Sequence, residues 1–542
     1  MSSAHVDTFA RDRLPAPDLL PAFRFDGLPA LASIPERLNC ATALLADRIA
    51  AGDGPRPCIV GESNGVPVRW TYDDLQTLSS RIAHVLVDDM GLVPGNRVLL
   101  RGANSPMLAA CWFAVMKAGG IAVGTMPLLR AKELGQIVEK AEVTHALCDA
   151  RLADELEATR HAHPVLRHVA TFLGGDLEAR AAAKPATFAT VDTHSDDTCL
   201  IAFTSGTTGV PKGTMHFHRD VLASCLCWPP HVLRATRDDV FIGSPPLAFT
   251  FGLGGLLLFP LHVGASTVLL EKASPDVLPA AIERHRATVC FTAPTSYRAM
   301  AAKASEHDLS SLRKCVSAGE ALPASTRALW KEATGIEMID GIGSTEMLHI
   351  FVSHDEAHAV PGATGTAVPG YAAKVIDDDG REVAHGTVGR LAVQGPTGCR
   401  YLDDPRQAQY VQDGWNVTGD AYVRDAAGHF VYQARTDDMI ISGGYNIAGP
   451  EVESALLLHP SVAECAVIGA RDAERGEIVK AFVVLRGGRA RDDATVRELQ
   501  DFVKRTIAPY KYPRAVAFVD ALPKTETGKL QRFRLKTLES AP

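Results

Sequence analysis

The run Thr204-Ser205-Gly206-Thr207-Thr208-Gly209-Val210-Pro211-Lys212-Gly213 follows the apolar segment Cys199-Leu200-Ile201-Ala202-Phe203. Such a segment reads as a buried strand. The glycines after it let the backbone turn tightly, so that amide N–H groups can face an anion. Hydroxyls and one lysine add side-chain donors and positive charge at the same place. This is chemistry for holding phosphates. It is not a Walker A loop, because G-x-x-x-x-G-K-[ST] fits no register of the run.

Four further clusters fall in a fixed order behind it. Asp340-Gly341-Ile342-Gly343-Ser344-Thr345-Glu346 combines glycine turns with a hydroxyl and a carboxylate. Thr418-Gly419-Asp420 places a carboxylate after a tight turn, and Arg435-Thr436-Asp437-Asp438 opens a segment of different texture. Lys524-Thr525-Glu526-Thr527-Gly528-Lys529 lies near the C-terminus. Each alone is explained equally well by a turn or by solvated surface charge. Five in this order carry weight.

Together they resemble the adenylate-forming acyl-CoA synthetases, over essentially the whole stretch from about Trp70 to Lys529. Within that superfamily the chain is most similar to the aryl-CoA ligases that activate benzoate and 2-aminobenzoate. Asp340 to Phe351 (DGIGSTEMLHIF) and Ser244 to Gly252 (SPPLAFTFG) carry that narrower likeness. The resemblance implies two half-reactions with ATP, Mg2+ and coenzyme A. The acid's carboxylate attacks the α-phosphate, and the coenzyme A thiol then displaces AMP. Two anions must be brought within bonding distance, so positioning and charge neutralisation dominate.

By the same resemblance, Thr204, Ser205, Gly206, Thr207, Thr208 and Lys212 hold the β- and γ-phosphates. Glu346 binds Mg2+, which keeps waters and needs few protein oxygens, and Thr345 donates to the α-phosphate. Gly319, Glu320, Ala321, Asp340, Gly341 and Ile342 border the adenine, with Ile342 standing where many relatives have an aromatic residue. Asp420 and Arg435 meet the ribose. Lys529 is the cation of the adenylation step, and acetylation there would remove its charge. Asp437 matches the hinge, and Gly443, Gly444 and Tyr445 line a tunnel for pantetheine. Thr250, Phe251, Ala318, Gly343, His349 and Ile350 match acid-pocket positions. The Thr250 hydroxyl favours an ortho substituent, hence 2-aminobenzoate ahead of benzoate. Another carboxylic acid, a carrier-protein thiol as acceptor and a nucleotide-binding scaffold without catalysis remain alternatives.

The elements that must position these groups read as α/β. A helix is expected from Tyr72 to about Asp89, a strand at Arg97-Val98-Leu99-Leu100, a helix from Pro106 to Lys117 and a strand at Ile121-Ala122-Val123. That spacing argues for parallel sheet with right-handed crossovers. The prolines at 15, 17 and 21 suggest an irregular N-terminal arm lying over the surface. The resemblance implies a large domain, residues 1–435, with two α/β sheets and a β-barrel-like part. A small mobile α+β domain, residues 436–542, would carry Lys529.

At 542 residues the chain is too long for one core. Its net charge of -8 argues against a nucleic-acid partner. The start of the chain, with Asp7 and Asp12, has no apolar core of signal-peptide length, and the stretch Leu253 to Val263 is too broken to span a bilayer. Eleven scattered cysteines suit reduced thiols and give no zinc framework. The expected compartment is the cytoplasm, with no membrane partner and with homo-oligomerisation left open.

Overall fold

The computed structural model describes residues 3–63, 66–204, 211–442, 445–472, 475–524 and 530–540, without the side chains of 62, 63, 437, 445, 446, 476 and 540. Its first α/β layer is a six-stranded sheet in the spatial order His168–Phe172, His145–Asp149, Arg97–Arg101, Ile121–Thr125, Thr198–Thr204, Lys212–Phe217. The first five strands run parallel and the last returns antiparallel. Parallel strands are covered on both faces, which is why their sequences are almost continuously apolar. The expected helix from Tyr72 forms as Tyr72–His84 and continues in the wider turn Val85–Asp89, opened by a capping box between Thr71 and Asp74.

Every residue of the helix Pro106–Lys117 is buried, including Lys117. That ammonium donates to the Gln76 carbonyl (3.1 Å), to Gln76 Oε1 (2.8 Å) and to Ser80 Oγ (3.0 Å), and to no carboxylate among the described residues. Burial alone pushes its pKa down to about 7.

The second layer has nine strands, ordered Thr366–Ala367, Ile350–Ser353, Met338–Gly343, Lys314–Ser317, Val289–Thr292, Val240–Gly243, Ser266–Val268, Pro57–Ser63, Val66–Thr71. Its central strands are parallel and its outer ones antiparallel. The ends Gly243, Thr292, Ser317 and Gly343 therefore point the same way, and ligands of open α/β sheets gather outside such carboxyl ends. The part expected to be barrel-like is a five-stranded antiparallel sheet. In it Val411–Gln412 and Phe430–Arg435 share one edge of the long strand Trp415–Arg424.

After Arg435 the single turn Thr436–Asp438 leads into a fourth sheet, beginning with Ile440–Ser442. This sheet and the helices Gly449–Leu457 and Asp493–Thr506 enclose a core of their own, built on residues such as Val452, Leu456, Val467, Val483 and Leu499.

The proline-marked arm lies over the surface as expected: residues 13–20 are exposed or half-buried, with only the single turn Pro17–Leu19. Ahead of it the chain is anchored: Phe9 is buried with the guanidiniums of Arg13 and Arg97 over its ring, and Arg97 holds Asp7 at 2.5 Å.

All eleven cysteines are buried and free. Cys40, Cys199 and His218 meet with ligand atoms within 4.8 Å, but His218 Nδ1 already accepts the Cys40 amide N–H at 3.1 Å. Among the described residues, no helix is long and apolar enough to cross a membrane.

Candidate active site

The site is organised by one turn, between the strands Met338–Gly343 and Ile350–Ser353. A bulge at Ile342/Gly343 sets Gly343 opposite Ile350. A Cβ at 343 would lie 2.7 Å from the His349 carbonyl oxygen, so glycine here answers the close approach of its own return strand. Leu348, buried, holds φ +69. A leucine in the left-handed region is uncommon and concentrates at functional turns.

On one side of this turn lies Glu346, the residue expected to bind the metal, with Lys212. Tyr401 Oη donates to Glu346 Oε1 at 2.5 Å, and Lys212 Nζ donates to Tyr401 Oη at 2.9 Å while standing 3.5 Å from the same carboxylate. Burial and the Glu346 charge both hold the Tyr401 phenol far above its usual pKa, so it stays a donor. His216 Nε2 lies 2.8 Å from the Thr345 carbonyl oxygen and must carry the proton it shares. Behind it the buried Asp220 sits 3.7 Å from His216 Nδ1 and accepts from Arg400 Nη1 at 2.6 Å. Burial would raise the Asp220 carboxyl, but the Arg400 guanidinium overrides this and keeps it well below the carboxylate range.

Thr204 closes its strand with a buried Oγ1 that finds no partner among the described residues. Ser205, Gly206, Thr207 and Thr208 lie outside the described residues. A hard carboxylate such as Glu346, 3.5 Å from the Lys212 ammonium, fits Mg2+, which takes one or two protein oxygens beside phosphate oxygens.

On the nucleotide side, Arg435 Nη1 lies 3.0 Å from Asp420 Oδ1. Asp340 is nearly buried and its Oδ1 has no partner among the described residues. Burial raises its pKa to about 7, against the opposing charge of Arg327. Gly319 takes φ +89 into open space, Ala321 is exposed and Glu320 half-buried. Gly341 is held against Ile350, and Ile342 is partly buried on the cluster of Met347, Phe351 and Tyr422.

The other side of the turn is aromatic. His349 stands 5.8 Å from Phe251, 5.7 Å from Trp228 and 4.5 Å from Phe259, ring centre to ring centre. It lies over Gly254, where any Cβ would collide with it. Among the described residues, neither of its ring nitrogens nor the buried Trp228 Nε1 finds a hydrogen-bond partner. Burial drives the His349 pKa down to about 3, the nearby Phe251 backbone opposing. Ala318 and Ile350 are buried. Thr250 lines an apolar cavity with Trp112, Ala202, Leu253 and Leu257.

Asp437 lies in the backbone turn Thr436–Asp438, and Tyr445 pairs with Ser442 across a hairpin. Gly443, Gly444 and Lys529 fall outside the described residues.

Sequence reasoning missed Tyr401, His216 and Trp228. A signal existed for His216, which shares a strand face with Lys212 and Thr214. None existed for Tyr401, which reaches Glu346 from 55 residues away.

These strands, turns and charges are those of an AMP-forming acid-CoA ligase, and the chain belongs to the AMP-binding enzyme family. The family model matches residues 46–400, and the model of the AMP-binding enzyme C-terminal domain matches residues 451–529. The chain is 35% identical to the benzoate–CoA ligase of Thauera aromatica, over 94% of this chain and 98% of that ligase. A crystal structure of an anthranilate CoA ligase in complex with anthranoyl-AMP superposes with a TM-score of 0.89 at 35% identity, covering 94% of this chain and 98% of that one. A benzoate CoA ligase from Burkholderia xenovorans LB400 gives 0.83 at 30% identity, covering 92% and 100%.

Proposed function

We propose that the protein is an ATP-dependent, AMP-forming ligase that joins an aromatic carboxylic acid to coenzyme A, with 2-aminobenzoate preferred over benzoate. The observation that carries this reading is the 343–350 turn. It presents Glu346 to Lys212 and Tyr401 at one end and His349 to Phe251, Trp228 and Phe259 at the other. One short segment thus joins a phosphate site to an aromatic pocket.

In the first step a carboxylate oxygen attacks the α-phosphorus, and the bond to pyrophosphate breaks. Lys212 and the hydroxyls of the 204–208 run neutralise the leaving phosphates, Thr345 donates to the α-phosphate, and Asp420 with Arg435 fixes the ribose. Glu346 would hold Mg2+, which when bound screens the phosphate charge. Lys529 places a cation between two anions, where negative charge concentrates in the transition state. In the second step the coenzyme A sulfur attacks the acyl carbon, and the carbon–oxygen bond to AMP breaks. Rotation about Asp437 exchanges Lys529 for Gly443, Gly444 and Tyr445. Acetylation of Lys529 would then silence the first step alone.

The orphaned nitrogens of His349 and Trp228 support a ring that bears a polar substituent, and the preference for an amino group rests on the unprotonated nitrogen of His349, which can accept from it. AMP formation measured with ATP, coenzyme A and a panel of benzoate, 2-aminobenzoate, hydroxybenzoates and medium-chain acids tests the reading. The highest kcat/KM is expected with 2-aminobenzoate. Turnover of a medium-chain acid only would overturn the aromatic assignment.

A further inference from the structure

The segment 400–402 adds to the outer edge of the strand Lys212–Phe217. The Met215 amide donates to the Arg400 carbonyl at 2.8 Å, the Leu402 amide to the Gly213 carbonyl at 2.8 Å, and Thr214 bridges Tyr401. From this edge two side chains reach the 343–350 turn by different routes. Tyr401 goes directly to the Glu346 carboxylate while accepting from Lys212. His216, on the same strand, donates from Nε2 to the Thr345 carbonyl at 2.8 Å, while Arg400 holds the buried Asp220, whose carboxylate stands 3.7 Å from His216 Nδ1 without a hydrogen bond between them.

Arg400, Asp220 and His216 are fully buried and Tyr401 nearly so. The Arg400 guanidinium is further fixed between the rings of Phe217 and Phe23, at 3.8 Å and 4.3 Å. Because the strand that carries Lys212 continues the phosphate run, these links tie that run to Thr345 and Glu346.

We propose that His216 and Tyr401 are positioning residues that lock the Thr345–Glu346 turn in register with the phosphate strand, so that the metal-binding carboxylate and the α-phosphate donor are set before nucleotide arrives. This deepens the functional reading and rests on its assignment of Glu346 and Thr345. The physical case is that a surface glutamate samples several rotamers, whereas this one is held by a phenol hydroxyl and faced by a cation. Preorganised donors and ligands lower the cost of binding.

The test uses the full-length enzyme and three conservative changes. Tyr401→Phe removes the hydroxyl and keeps the ring. His216→Leu removes the donor to Thr345, and His216→Gln returns an amide N–H near the Nε2 position. Binding of MgATP is measured by calorimetry, and Mn2+ affinity in the presence of ATP by electron paramagnetic resonance. Tyr401→Phe and His216→Leu are each expected to weaken MgATP binding about tenfold, the scale of one lost hydrogen bond to a charged or buried group. The KM for the acid should stay unchanged, as should thioester formation from preformed aryl-adenylate, and His216→Gln should recover most of the loss.

Glu346→Gln separates the two levels of the claim. If it weakens Mn2+ and MgATP binding while Tyr401→Phe and His216→Leu do not, the positioning role is wrong and the metal assignment stands. If Glu346→Gln has no effect, the assignment of Glu346 itself is wrong. Equal loss in acid, nucleotide and thermal stability for Tyr401→Phe and His216→Leu would also overturn the proposal, since that is what a packing role produces.

Discussion

Arg435 faces Asp420 across a register pair of adjacent antiparallel strands, and its guanidinium covers Gly419 so closely that a Cβ there would lie 2.6 Å from Nη2. Arg435 is also the last residue of its strand before the chain passes to the C-terminal sheet. The carboxylate assigned to the ribose is thus held by the residue that begins the passage between domains.

Removing that carboxylate should act on nucleotide and not on acid. Asp420→Ala is expected to raise the KM for ATP by at least about tenfold, given the value of hydrogen bonds to a charged acceptor, with the KM for the aromatic acid unchanged. Initial-rate kinetics with each substrate varied checks this.

Lys529→Ala should separate the half-reactions. Acid-dependent exchange of label between pyrophosphate and ATP is expected to fall by several orders of magnitude, while synthetic aryl-adenylate and coenzyme A still give thioester at near wild-type rate. Equal loss in both assays would remove the lysine from the adenylation step.

Acid selectivity should follow the polar groups near the ring. His349→Phe is expected to lower kcat/KM for 2-aminobenzoate relative to benzoate by about tenfold to a hundredfold, the range for a buried partner left unpaired. Thr250→Val should shift the same ratio if its hydroxyl reaches the ortho position. An unchanged ratio in Thr250→Val would leave that residue lining the apolar cavity only.

Asp340 predicts a pH signature. Its folded-state pKa is raised from 3.8 to about 7, so between those values the folded protein keeps a proton that the unfolded chain has lost. The associated stability is full below pH 3.8 and lost as pH rises through about 7. Asp340→Asn should flatten that part of the stability profile, measured by denaturant titration across pH 4 to 8. It should also remove any ionisation near pH 7 from the KM for ATP.

Lys117 predicts the opposite slope at higher pH. Its pKa is lowered from 10.5 to about 7, so from pH 7 to 10.5 the unfolded chain holds the extra proton and stability rises with pH. Lys117→Met, which keeps length and loses charge, should abolish the rise. Thermal unfolding at pH 7 and pH 9.5 distinguishes the two proteins.

Much of the fold was legible because local signals agreed with the tertiary outcome. The helix expected from Tyr72 starts there, where the Thr71–Asp74 capping box and an apolar stripe of Leu75, Ile82 and Leu86 coincide. Pro106 and Gly119-Gly120 likewise bracketed the helix Pro106–Lys117. What escaped were contacts that only tertiary structure makes. Phe9, ahead of the proline-marked arm, gave no periodic pattern, and Tyr401 gave no hint of Glu346. Nor did the acid-pocket match of Gly343 reveal the close approach of its own return strand.

The first hairpin of the nine-stranded sheet has a consequence for how the protein must be made. The strand Pro57–Ser63 pairs on its inner side with Ser266–Val268, about 200 residues later, so a growing chain carries that bare strand edge through synthesis of the whole six-stranded sheet. Unpaired edges recruit other chains. Fragments that stop short of residue 266 should therefore precipitate, and dividing this gene product for expression should succeed only at a cut beyond that point.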